Sequence, residues 1–123
     1  MRVCIHRGSK QIGGSCVEVE SCRKRLIIDF GLPLDAEEES SQYLPQIDGL
    51  DGSHESLLGI LISHPHLDHF GLLQHVSPRI KIGMGPAAKK ILRAAAPFLP
   101  NSTTLSLTGW DFKSETPIDI GPF

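Results

Sequence analysis

The chain has 123 residues, and 40% of them are hydrophobic. That supports one domain with a real core and excludes disorder as the default state. Twelve basic against fourteen acidic residues leave a formal net charge of -2, which gives no support to nucleic-acid binding through bulk charge.

The N-terminus, Met1-Arg2-Val3-Cys4-Ile5-His6-Arg7, has neither the apolar stretch nor the cleavage site of a signal peptide. No apolar run reaches the roughly 18 residues of a membrane span. Cys4, Cys16 and Cys22 are odd in number and lack CxxC spacing, so they read as reduced thiols of a cytoplasmic protein.

In chain order, residues 2–6 alternate as a first strand, and Gly13-Gly14 closes a connector over 8–14. Residues 15–20 form a second strand, with Val17 and Val19 on one side and Cys16, Glu18 and Glu20 on the other. A polar turn over 21–24 leads to a third strand, 26–30, whose unbroken apolar run predicts burial on both faces. Residues 31–56 then form a long irregular segment that is functional or hides a short helix. Its run Glu37-Glu38-Glu39 reads as a solvated face.

Residues 57–62 predict a fourth strand, apolar on both faces. Asp68 begins a helix, with Phe70, Leu73 and Val76 inward, ended by Ser77-Pro78. Residues 79–84 are a short strand. A second helix spans 87–98, led in by Gly85-Pro86 and buried along Ile91, Leu92, Ala95 and Phe98. Residues 103–108 have some strand character, and 117–120 read as the start of an apolar strand. Strands first and alternating helices later predict an α/β (α+β) layered fold on a mixed sheet.

The chemistry concentrates in Ser63-His64-Pro65-His66-Leu67-Asp68-His69, at a strand-to-helix junction. Histidines two apart on an extended segment project to one side, so His64 and His66 can close on one cation. Asp68 and His69 can face back toward the same volume and admit a second ion. Imidazole and carboxylate donors suit zinc, manganese or iron better than calcium. A lone histidine is more often a hydrogen-bonded core residue, and His6, His54 and His75 are read so. Asp29 ends a buried strand, where an unpaired carboxylate costs several kcal/mol. It either accepts hydrogen bonds from loop amides or orients a ligand histidine.

His64-Pro-His66-Leu-Asp68-His69 resembles the HxHxDH signature of the metallo-β-lactamase fold hydrolases. Gly13-Gly14-Ser15-Cys16, Leu-Ile-Ile-Asp29-Phe-Gly31 and Ile-Leu-Ile-Ser-His64 fall in the family's order. The Ile-Gly-Gly-Ser-Cys opening and the closing Ile-Gly-Pro-Phe resemble the ribonuclease J-like branch of RNA-processing exonucleases. The resemblance implies an αββα sandwich with a dinuclear site between its sheets, usually of zinc. It implies that His64 and His66 hold the first ion, and Asp68 and His69 the second. Asp68 would also orient or deprotonate the attacking water, and Asp29 would buttress the site.

The pattern also departs from the family. A further histidine, a bridging aspartate and a final histidine are needed, yet no histidine follows His75. Asp111 and Asp119 lie in no recognisable motif. The chain is therefore expected to form a single domain, 1–123, that is only the N-terminal half of the sandwich, without the inserted nuclease domain of the ribonuclease J-like branch. The expected function is metal-dependent phosphodiester hydrolysis of nucleic acid, with metal-activated water, by the full-length parent. The isolated chain is expected to be weakly active or inactive. The alternatives are hydrolysis of a small thioester, lactone or lactam, and a non-catalytic fragment or interaction module. The expected partners are nucleic acid, no membrane, and a second copy or complementing chain over the exposed C-terminal strand. The segment Leu32 to Ser56 is a candidate substrate rim.

Overall fold

A computed structural model describes residues 1–36, 40–98 and 106–123. Among the described residues, five strands form one sheet in the order β1-β2-β3-β4-β5. β1 (Arg2–Arg7), β2 (Cys16–Ser21) and β3 (Lys24–Ile28) make an antiparallel meander. β4 (Leu57–Leu61) and β5 (Lys81–Gly83) add parallel to it. The β2–β3 turn is tight: Cys22 and Arg23 both take positive φ, 49° and 60°, the twist a two-residue hairpin demands. Parallel pairing needs long crossovers, and the segments before β4 and β5 supply them.

The core lies on one face of the sheet. Cys16, Ile27, Ile60 and Ile82 project from the strands to meet Phe30, Phe70, Leu72 and Leu92. Fully burying a side chain such as Phe30 or Ile60 contributes about 1.5–3 kcal/mol. The crossover before β4 contains a 3-10 turn, Ser40–Tyr43, and packs Leu44, Ile47 and Leu50 onto this face. On the opposite face Val3, Ile5 and Ile28 are exposed. Residues 108–112 run beside β5 there, taking hydrogen bonds from the Ile82 and Met84 N–H groups at Thr108 O and Trp110 O, 2.9 and 3.1 Å. The Trp110 ring lies so close to β4 that a Cβ on Gly59 would stand 2.6 Å from it.

Several expectations are corrected. The predicted helix from Asp68 to Val76 is one turn, α1 (Leu67–Phe70), followed by a 3-10 turn, Leu73–His75. The chain after β3 bonds to its carbonyls: the Phe30 N–H donates to His69 O, and the Leu32 N–H shares Leu67 O with the helical Gly71 N–H. His69 O, so engaged, does not continue the helical ladder. β3 is buried on both faces at Leu26 and Ile27, but its last residue, Ile28, stands 38% exposed on the outer face. On β2 the alternation left the inward side open, and it is that of Cys16 and Glu18: Glu18 is buried, ion-paired with Arg25, while Val17 and Val19 are half-buried.

α2 (Pro86–Ala95) continues as a 3-10 turn, Ala96–Phe98. It buries Ala88, Lys89 and Leu92 and leaves Ile91 and Phe98 exposed, against the predicted stripe. Lys89 turns inward because its ammonium reaches Asp111 at 2.6 Å. Residues 117–120 are not a strand. Ile120 is buried and exchanges backbone hydrogen bonds with Phe123 in a closing turn, so the expected open C-terminal strand is absent. Of the predicted strand over 103–108, residues 106–108 are irregular and 103–105 lie outside the described residues, as does the run 37–39.

Candidate metal centre

β3 and β4 end at the same edge of the sheet, and the centre is built there. The Asp29 N–H donates to Leu61 O at 2.8 Å, which fixes Asp29 beside the exit of β4. Asp29 has φ 59°, a left-handed conformation that aspartate tolerates better than most residues. This kink turns its carboxylate toward Ser63. Gly31 then passes directly under α1. A Cβ there would stand 1.6 Å from Asp68 O, so no other residue fits. The Ser15 N–H also donates to Asp68 O, at 3.1 Å. Strand ends thus pin the one-turn helix that carries Asp68 and His69.

Asp29 is buried and fully engaged. Its Oδ1 accepts the Ser63 N–H at 2.8 Å. Its Oδ2 lies 2.9 Å from Ser63 Oγ and 2.7 Å from His69 Nδ1. Asp29 thus accepts a loop amide at Oδ1 and lies against an imidazole nitrogen at Oδ2. His69 Nε2 stands 3.4 Å from Asp68 Oδ2. The His64 ring lies over that of His69, centroids 3.7 Å apart. Ligand atoms of His64, Asp68 and His69 all fall within 4.8 Å of one another.

His66 occupies a different place. Its carbonyl receives the N–H groups of His69 and Phe70, at 2.8 and 3.1 Å, and it caps α1. Its ring stands edge-on to His64, centroids 4.7 Å apart. The segment 63–66 bends rather than extends, yet it keeps the two rings adjacent. His66 and Asp68 also line an open groove of about 430 Å³, otherwise walled by apolar residues including Leu34, Leu67, Phe70 and Ile91.

The other histidines lie apart from this cluster. His6 Nε2 is 3.6 Å from Glu18 Oε2, His54 packs beside Gly49, and His75 sits in the 3-10 turn. The cysteines are free, Cys4 and Cys22 at the surface and Cys16 in the core. Burial, with the nearby Glu18 charge, pushes the Cys16 thiol up to about 12. Sequence reasoning gave no role to Ser63, nor did it find the buried Glu18–Arg25 pair or the groove. A hydroxyl directly before His64 was the only signal for the first.

The donor set fits a divalent cation of the zinc, manganese or iron class: two imidazoles and a carboxylate converge, and the buried Asp29 carboxylate orients one imidazole from behind. Among the described residues, no helix is long and apolar enough to cross a membrane.

Comparison with known proteins agrees with this chemistry. A 69-residue segment, 56% of the chain, is 37% identical to an RNase J-like protein of Methanocaldococcus jannaschii, of which it covers 14%. A 73-residue segment, 59% of the chain, is 32% identical to the transcription termination factor FttA of the same organism, covering 11% of it. The chain thus matches only a small part of these relatives' length. In three dimensions it resembles the crystal structure of a protein of unknown function from Enterococcus faecalis, with a TM-score of 0.76 at 20% identity, over 97% of this chain and 35% of that one. The profile of the Metallo-beta-lactamase superfamily matches residues 10–103, and with its mixed sheet and His64–Asp68–His69 cluster the chain belongs to that superfamily of metal-dependent hydrolases.

Proposed function

We propose that the chain is the first metal-binding portion of a nuclease-type hydrolase acting on phosphodiester bonds of RNA. The observation that carries this reading is the convergence of His64, Asp68 and His69 at the edge where β3 and β4 end. Relatives named as an RNase J-like protein and a transcription termination factor support the RNA substrate. His64, Asp68 and His69 would hold the cation, with His66 adjacent to complete a first site or begin a second. Zinc is the proposed ion, with manganese or iron as alternatives. A divalent ion in such a site acidifies bound water and draws charge from phosphoryl oxygens. Asp68 is the proposed proton acceptor: its carboxylate is half-buried and 3.4 Å from His69 Nε2. Asp29 holds the His69 ring in register through its 2.7 Å contact.

On this reading the 123 residues form one domain, half of an αββα sandwich, in a cytoplasmic protein. The exposed Val3, Ile5 and Ile28 on the outer sheet face support it, since that face would bury against a second layer. The likeness to only 35% of the Enterococcus faecalis chain also supports it. Alone, the chain should hydrolyse bis-p-nitrophenyl phosphate slowly or not at all.

The test is cleavage of an RNA oligonucleotide, with added zinc or manganese, by the protein expressed from its whole reading frame. Cleavage should vanish in Asp68→Ala. Cleavage that survives the substitution, or its absence with every metal, overturns the reading. One observation favours a second reading. The apolar groove beside Asp68 suits a small thioester, lactone or lactam, whose turnover in the same protein would replace RNA as the substrate class.

A further inference from the structure

Ser63 Oγ stands 2.9 Å from Asp29 Oδ2, 3.1 Å from His64 Nδ1 and 3.2 Å from His69 Nδ1. A hydroxyl carries one hydrogen and two lone pairs, whereas an ionised carboxylate only accepts. The His69 Nδ1 contact with Asp29 Oδ2 is the shortest in the group, 2.7 Å, so Nδ1 carries its proton and donates it there. Its Nε2 is then a bare lone pair. The Ser63 hydroxyl has the same carboxylate within reach, and a charged acceptor takes its proton in preference to a neutral imidazole. An Oγ lone pair is left facing His64 Nδ1, which must therefore be the donor of that bond.

We propose that Ser63 is a positioning residue that carries the influence of Asp29 to a second imidazole. It holds His64 as the Nδ1–H tautomer, so that His64 Nε2 and His69 Nε2 are both unprotonated beside Asp68. One buried carboxylate thus sets two rings, His69 directly and His64 through the hydroxyl. Without the hydroxyl nothing in this group fixes the His64 proton, and a ring protonated at Nε2 cannot offer that nitrogen to a cation. The purpose of the arrangement rests on the proposed metal binding. Its test does not, because the tautomer is set in the metal-free chain.

Long-range proton–nitrogen NMR reads the tautomer of each ring. His64 and His69 should both be Nδ1–H in the natural chain. Ser63→Ala should shift His64 to Nε2–H and leave His69 unchanged, and Ser63→Thr should retain the natural pattern. Ser63 is exposed, so the fold should survive both substitutions. Zinc affinity, measured by competition with a chromophoric chelator, should fall roughly tenfold in Ser63→Ala and hold in Ser63→Thr. A natural His64 found as Nε2–H, or a tautomer indifferent to Ser63→Ala, overturns the proposal. If the tautomer switches as expected but the natural chain binds no zinc, the role of Ser63 stands and the metal reading fails.

Discussion

His69 Nδ1 lies 2.7 Å from Asp29 Oδ2 across forty positions of chain. A backbone bond runs beneath it, from the Phe30 N–H to His69 O at 2.7 Å. The exit of β3 and the turn of α1 are thus joined twice, once by structure and once by charge.

Replacing the charge alone separates these roles. Asn in place of Asp29 tolerates the left-handed backbone and retains an acceptor for the Ser63 N–H. It loses the carboxylate that orients His69. Zinc affinity by chelator competition should fall about 10–100-fold in Asp29→Asn, with the sheet intact by circular dichroism. Unchanged affinity would show that Asp29 serves the fold only.

Arg25 is the nearest of the basic groups that surround the buried Glu18, ahead of His6 and Arg2. It meets Glu18 Oε2 at 3.3 Å and also reaches Asp48 O and Ser56 Oγ, 2.8 and 3.0 Å, so it ties β3 to the crossover. Arg25→Ala removes the nearest guanidinium from a buried carboxylate, leaving it His6 Nε2 at 3.6 Å and the Arg2 guanidinium at 4.0 Å, and should cost about 1.5–3 kcal/mol in urea unfolding. Glu18→Gln combined with Arg25→Met should cost less than Arg25→Ala alone. Equal or greater loss in the double variant would contradict this account.

Thiol reactivity should divide the cysteines. Cys4 and Cys22 are exposed and should react with Ellman's reagent in the native chain, and Cys16 only after unfolding. Burial raises the Cys16 thiol from 9.0 to about 12. A raised folded value means the folded state keeps the proton longer than the unfolded one. This contribution to stability is complete well below the ordinary thiol value of 9.0. It is lost as pH rises toward the folded value of about 12. Denaturation midpoints should therefore drop less at high pH in Cys16→Ala than in the natural chain, and an equal drop would refute the assignment.

Gly31→Ala should cost about 3 kcal/mol or more, or prevent soluble expression, because the added methyl meets Asp68 O. Gly85→Ala is the matched control. Its nearest contact would be 3.8 Å away, so it should shift stability by less than about 1 kcal/mol. Similar losses at both positions would show that glycine content, and not the close approach, matters.

Much of the fold was legible because strand periodicity and apolar runs are local signals. β1, β2, β4 and α2 lie within a few residues of their predicted places. The motif was legible because three imidazoles and a carboxylate in six residues have few structural explanations. What escaped depends on contacts between distant segments. Alternation on β2 could not show that Glu18 points inward, since charged residues are seldom buried unless paired, and its partner Arg25 lies on the next strand. The helix after Asp68 was overestimated because its carbonyls also bond to residues that follow β3. Ile91 and Phe98 fit a helical stripe as well as Leu92 does, but only tertiary packing chooses which side is covered.

The two halves of the sheet differ in how they close. β1, β2 and β3 pair through connections local in sequence, whereas β3 meets β4 only after residues 29–56 have come round. Hairpins form in about 1–10 µs, and contacts across long loops come later because loop entropy must be spent first. Asp29 is the first residue of that crossover, and His64, Asp68 and His69 come after it. The cluster is therefore oriented only once the crossover has closed, and a form holding the meander alone lacks the Asp29 brace. An ion that grips the finished cluster stabilises the closed crossover over such open forms, by about 2.7 kcal/mol at a hundredfold excess over Kd. The same residues that would do chemistry also report, through their affinity for an ion, whether the last strands have docked.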